Sequence, residues 1–210
     1  MNENSVPTLV VALVVTVYWA RVLHLVIKTR RRTGKSANFF PPEKLGRLLR
    51  LLWIPVVGGW IVLPLLLALG YSSASPLRPL WDLPALAIAA SAVAVLCLVL
   101  TWICWQRMGR SWRMGINPNE KTQLIVTGPY AYVRHPIYAL STLLMVVSVL
   151  AAPSPAMFFC GVIHIAFVRW EARREEHYLL GVHGELYGRY LRGVGGFMPR
   201  TFTPFITERA

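Results

Sequence analysis

Two stretches of this chain hold residue types able to grip a small charged molecule and act on it. The first runs Thr127-Gly128-Pro129-Tyr130-Ala131-Tyr132-Val133-Arg134-His135-Pro136-Ile137-Tyr138, placing a turn, three tyrosines, a cation and an imidazole directly before an apolar run. Two readings fit it. In the structural one, Pro136 opens a helix, the tyrosines form an interfacial belt and Arg134 snorkels toward lipid phosphate. In the functional one, backbone N–H groups at the helix start act with Arg134 to bind an anion such as a carboxylate.

The second stretch begins at Trp170 and carries Glu171, Arg173, Arg174, Glu175, Glu176, His177 and Tyr178. At about 100° per residue, His164, Glu171, Glu175 and Tyr178 fall within about 40° of one another, while Glu176 points about 100° away from Glu175. The adjacent carboxylates therefore address different neighbours. Read plainly, they are solvated juxtamembrane charges worth little individually. His164 lies deeper in the apolar run, where a neutral imidazole hydrogen-bonds a neighbouring helix, and it is assigned no catalytic role. A third stretch, Met108 to Ile116, has glycines at 109 and 115 that would let a ligand approach the backbone, but it fits no phosphate-loop pattern.

The elements that must position these residues are apolar. Of 210 residues, 55% are hydrophobic and 15% charged, which excludes an ordinary soluble globular protein. Val6 to Ile27 is long enough to cross a hydrocarbon core about 30 Å thick. Leu51 to Leu69 is a second span, expected to kink at Pro55 and Pro64, and Leu83 to Trp105 a third with no charge. Ile137–Ala152 and Ala156–Val168, separated by Pro153, Ser154 and Pro155, form a short helical hairpin. The expected architecture is all-α: a polytopic membrane protein of five transmembrane helices, the last two a hairpin, with a polar C-terminal segment. Residues 1–105 supply three spans and 106–210 the chemically varied region.

The formal charge of +13 is distributed as membrane orientation rather than as a nucleic-acid surface. Residues 28–50 carry eight Lys or Arg, 106–135 five and 169–210 seven, leaving only Arg21 and Arg78 elsewhere. The positive-inside rule converts this into an N-terminus outside and a cytoplasmic C-terminus. Cys97, Cys104 and Cys160 sit in apolar runs without metal-ligand spacing, so disulfides and a metal site are not expected.

In combination the motifs resemble the isoprenylcysteine carboxyl methyltransferase family and its phospholipid N-methyltransferase relatives. The resemblance rests on Gly128-x-Tyr130, Arg134-His135-Pro136-x-Tyr138, an apolar hairpin and Glu175-Glu176, continuing through Leu179, Gly184, Tyr187, Tyr190, Val194 and Pro199. It extends from about Met108 to Pro199. His183 departs from a usual Phe, Gly195 from a frequent Pro, and Leu140 from a usual small residue.

The resemblance implies an S-adenosyl-L-methionine-dependent methyltransferase of lipidic or lipid-linked acceptors, with membrane lipids and no nucleic acid as partners. Its cofactor would sit between the loop before the hairpin and the C-terminal segment, held by Tyr130, His135, Pro136, Tyr138 and Glu176. Arg134 and Glu175 would orient or activate the acceptor, which could be a carboxylate, an amine or a thiol. Related sterol reductases make an NADPH-dependent oxidoreductase an alternative. A membrane protein whose polar C-terminus binds a partner, without catalysis, is another.

Overall fold

The computed structural model describes residues 5–34, 37, 39–72, 75–115 and 123–206, so the end of the Met108–Ile116 stretch and part of the following loop lie outside the described residues. The chain is all-helical: α1 (Ser5–Thr33), α2 (Lys44–Ala68), α3 (Pro84–Met108), α4 (Pro136–Ala151) and α5 (Pro155–Gly193). Among the described residues the only strand-like pairing is a single parallel bridge between Val133 and Gly195. Helices α1, α2 and α3 are long and apolar enough to cross a membrane, and α4 is a shorter apolar helix.

Local sequence sets the helix limits. Pro84, Pro136 and Pro155 each occupy a first-turn position, where the missing N–H would have had no intrahelical partner. Ser154 caps α5 by accepting from the Met157 N–H at 3.2 Å. Gly109, at φ 50°, ends α3 in a conformation that side-chain-bearing residues avoid. α2 runs unbroken as a helix through both Pro55 and Pro64. α5 carries the fifth apolar run on into the Glu-rich stretch as one helix, as the shared stripe of His164, Glu171, Glu175 and Tyr178 requires. It continues past Val168 through the Glu-rich stretch and breaks only at Gly184, whose φ of 53° and ψ of −129° are non-helical.

The helices bury one face and leave the other apolar. Val11, Val15, Tyr18, Trp60, Ala94, Leu144 and Met145 fill a common core, while Leu13, Leu52, Ile88, Leu96, Val99, Phe158 and Phe159 face outward. Exposed leucines and phenylalanines are tolerated where lipid replaces water. Inside, polar side chains join helices. Trp60 Nε1 donates to Ser148 Oγ at 2.9 Å, Thr8 Oγ1 to the Ala151 carbonyl at 2.8 Å, and Trp53 Nε1 to His164 Nδ1 at 3.2 Å. Because Nδ1 accepts, the His164 proton belongs on Nε2, which sits 3.0 Å from Ser141 Oγ. The imidazole thus ties α5 to both α2 and α4. Arg21, the lone cation within the first apolar run, lies over the Trp102 ring of α3 at 4.5 Å.

Candidate functional site

Arg134 is the centre of a clamp. Its Nε and Nη2 donate to Glu176 Oε1 at 2.9 and 2.7 Å, and its Nη1 donates to the carbonyls of Leu191 (3.2 Å) and Val194. The residues after α5 return along the loop. Gly195 and Gly196 carbonyls accept from the N–H groups of Arg134 and His135 at 2.8 and 3.0 Å, and the Phe205 N–H donates to the Ala131 carbonyl at 3.0 Å. Tyr190 Oη donates to the Tyr130 carbonyl at 2.5 Å. Loop and C-terminal segment are therefore one unit, stitched by backbone and by a partly buried ion pair.

This arrangement corrects the anion-binding reading of the loop. The N–H groups of Arg134 and His135 are engaged by the returning strap, and the guanidinium is spent on Glu176 and two carbonyls. A site made by spatial return of residues 60 positions away could not be seen in the loop's own sequence. Gly195 shows how tight the return is: a Cβ there would come within 1.8 Å of the Met198 carbonyl oxygen. No side chain fits, which accounts for glycine where the resemblance would have placed proline.

His135, 6% exposed, lies between the two carboxylates, with Nε2 at 3.0 Å from Glu176 Oε1 and Nδ1 at 3.7 Å from Glu175 Oε2. Its ring stacks on Tyr138 at 5.5 Å and 16°. Burial alone would raise the Glu176 pKa, but hydrogen bonds from His135 and Arg134 outweigh it and lower the group from its ordinary 4.5 to about 2.

Two open cavities meet at this cluster. An inner chamber of about 790 Å³ is lined by Tyr18, Trp19, Arg50, Trp53, Trp112, Pro136, Ser141, His164, Phe167 and Glu171. An outer chamber of about 770 Å³ is lined by Ser111, Gly115, Gln123, Leu124, Tyr178, Leu179, Tyr187 and Tyr190. Tyr130, Arg134, His135, Tyr138 and Glu175 belong to both walls.

The sequence-selected residues are brought together, with different placements. Tyr130, His135, Tyr138 and Glu175 stand at the junction, and Pro136 faces the inner chamber. Glu176, expected from its direction on the helix to pair with Arg134 and to help hold a cofactor, does pair with Arg134 but lines neither chamber. The polar stripe of α5 runs from one chamber to the other: His164 and Glu171 line the inner chamber, Tyr178 the outer, and Glu175 both.

Sequence reasoning missed the contribution of the first two helices. Tyr18 and Trp19 of α1 and Arg50 and Trp53 of α2 wall the inner chamber, so the site is not confined to residues 106–210. Arg50 is 2% exposed and its Nη2 donates to Glu171 Oε1 at 3.0 Å and to the Met114 carbonyl at 3.2 Å. The signal in the sequence is a cation set among leucines ahead of Trp53, at the end of a basic segment.

The outer chamber suits a polar ligand. Tyr130 and Tyr187 line it and carry buried hydroxyls that have no hydrogen-bond partner, and burial pushes both phenols well above their ordinary range, keeping them neutral donors. Glu175 offers a carboxylate outside the Arg134 clamp. S-adenosylmethionine, with ammonium, sulfonium and ribose hydroxyls, has groups complementary to this set.

No curated protein compared with the chain matches it. The model of the Isoprenylcysteine carboxyl methyltransferase (ICMT) family matches residues 87–181. The match starts in α3, earlier than the motifs that carried the resemblance, and stops before Gly184, Tyr187 and the strap. It covers a little under half of the chain and contains the loop, α4 and both paired glutamates. Over residues 87–181 the chain is thus similar to a methyltransferase family, and three of its helices are long and apolar enough to cross a membrane.

Proposed function

We propose that the chain is an S-adenosyl-L-methionine-dependent methyltransferase of a lipidic or lipid-linked acceptor, with the cofactor in the outer chamber and the acceptor in the inner one. The observation that carries this reading is the shared wall: Tyr130, His135, Tyr138 and Glu175 border both cavities. Reactants held in the two cavities can approach where these meet, to the ~3 to 3.5 Å that an in-line displacement requires. The bound cofactor would supply an electrophilic methyl group on a sulfonium.

The chain's own residues then have separable duties. Tyr130 and Tyr187 donate to polar groups in the outer chamber, and Glu175 faces the positive charge there while bordering the acceptor's path. Glu176 and Arg134 hold the loop against the strap, and through it His135 and Tyr138. In this reading Arg134 and Glu176 are positioning residues. The inner chamber's aromatic walls from α1, α2 and α5 receive the apolar part of the acceptor, which enters laterally from lipid.

The accompanying topology has five spans, with α4 and the first part of α5 as the hairpin. Residues 1–105 provide the first three spans and 106–210 most of the catalytic region. The N-terminus is outside and the C-terminus cytoplasmic, supported by 20 of 22 Lys and Arg falling in alternate segments. A soluble charged cofactor then reaches the outer chamber from the basic side.

The test uses purified protein in detergent. S-adenosylhomocysteine should raise the unfolding temperature in a concentration-dependent manner and NADPH should not, because only a ligand of the folded state stabilises it. Labelled S-adenosylmethionine with a membrane lipid extract should give a labelled product. Stabilisation by NADPH alone would favour the reductase reading, and no response to either would leave a non-catalytic membrane protein.

A further inference from the structure

The inner chamber contains an ion pair that is only half used. Arg50 and Glu171 are 2% and 3% exposed, and both line the cavity. Arg50 Nη2 meets Glu171 Oε1 at 3.0 Å, and the second cation near this carboxylate, Arg174 Nη2, also approaches Oε1, at 3.6 Å. Glu171 Oε2 and Arg50 Nε are buried without a hydrogen-bond partner. The guanidinium is meanwhile held between the rings of Trp53 and Phe167, at 5.4 and 5.1 Å from their centroids. Nε and Nη2 share one edge of a guanidinium, so the pair leaves one donor and one acceptor unmatched on two residues that line an aromatic cavity.

A buried polar group left unmatched is costly, and a ligand that satisfies both atoms recovers that cost. The complement is a neutral group with a donor and an acceptor on separate atoms. A carboxylate would face the unpaired Glu171 oxygen, and an ammonium would face Arg50. Resting on the reading of the inner chamber as the acceptor's, we infer that Arg50 and Glu171 recognise an amide at the head of an apolar acceptor, Glu171 Oε2 accepting the amide N–H and Arg50 Nε donating to the amide carbonyl. The amide is not the methylated group; it sets the depth and rotation of the head beside Tyr138 and Glu175. Specificity for the acceptor then resides partly in α2, outside the segment matched by the family.

The test needs no turnover. Dodecanamide, dodecanoate, dodecylammonium and dodecanol are titrated into the full chain in lipid nanodiscs, with chamber tryptophan fluorescence as readout and empty nanodiscs correcting for partition. Dodecanamide should bind about tenfold more tightly than each of the others. Glu171→Gln leaves the Arg50 charge uncompensated and should move dodecanoate to first place. Arg50→Gln should do the same for dodecylammonium. Equal or tighter binding of any other head group to the unaltered protein overturns the amide site, whether or not the variants fold. Each titration is repeated with S-adenosylhomocysteine present. Ligands that bind beside it without amide preference defeat this inference alone, whereas ligands that displace it competitively defeat the two-chamber reading.

Discussion

Replacing Glu176 by Gln tests whether the clamp is what holds the site together. In the structure Glu176 Oε1 receives two bonds from Arg134 and one contact from His135, all within 3.0 Å. These lower its pKa from 4.5 to about 2, against the opposing effect of burial. Each tenfold change in proton affinity is about 1.4 kcal/mol, so the full lowering corresponds to about 3 kcal/mol. The side chain is 24% exposed, and solvent screening reduces the expected contribution to about 2 kcal/mol. A depressed carboxylate stabilises the fold at pH above its unfolded value and loses that contribution as pH falls through its folded value. Thermal unfolding of both proteins in detergent at neutral pH should give the Gln variant a midpoint lower by ~4 to 8 °C. The difference between the two should shrink as pH is lowered from about 4.5 to about 2. A variant indistinguishable from the unaltered protein at neutral pH, or a difference that does not change over that acid range, would refute the argument that this ion pair fastens loop to strap.

Glu175→Gln should leave the midpoint nearly unchanged, because Glu175 lies outside the Arg134 clamp, yet turnover in the labelled-methyl assay should fall about 10²-fold or more; retained turnover would remove Glu175 from the mechanism. Tyr130→Phe and Tyr187→Phe delete buried hydroxyls without protein partners, so each should hold or raise stability while weakening S-adenosylhomocysteine binding by about fivefold, measured by calorimetry. Unchanged affinity in both would show that the outer chamber is not the cofactor's. Gly195→Ala must move the Met198 carbonyl that its Cβ would strike, and should cost about 2 to 4 kcal/mol together with cofactor binding. A cysteine replacing Arg78 should react with an impermeant reagent from outside only, and reaction from the cytoplasmic side only would invert the topology.

Helix positions were legible in sequence because lipid enforces a simple rule: a spanning backbone must satisfy its own hydrogen bonds, so long apolar runs can only be helices. Val6–Ile27 lies within α1 for that reason, and Leu51–Leu69 and Leu83–Trp105 overrun α2 and α3 by only one residue each. The angular separation of Glu175 from Glu176 was equally readable, since it follows from helix geometry alone. What Glu176 faces was not determined locally, because its partners Arg134 and His135 are about 40 residues away and are reached only when α4 and α5 pack. The role of the loop was likewise decided by the strap. Gly195 and Gly196 engage N–H groups that the sequence left free, and no periodicity describes a segment that returns after a break at Gly184. Arg50 is the clearest case. In sequence it is one of eight basic residues in an alternate segment, and in space it is a buried cation held by Glu171 across 121 positions, in a cavity that no single helix could form. Hydrophobicity and charge distribution are properties of each segment and survive without a partner; a cavity and the complement of its walls exist only between segments.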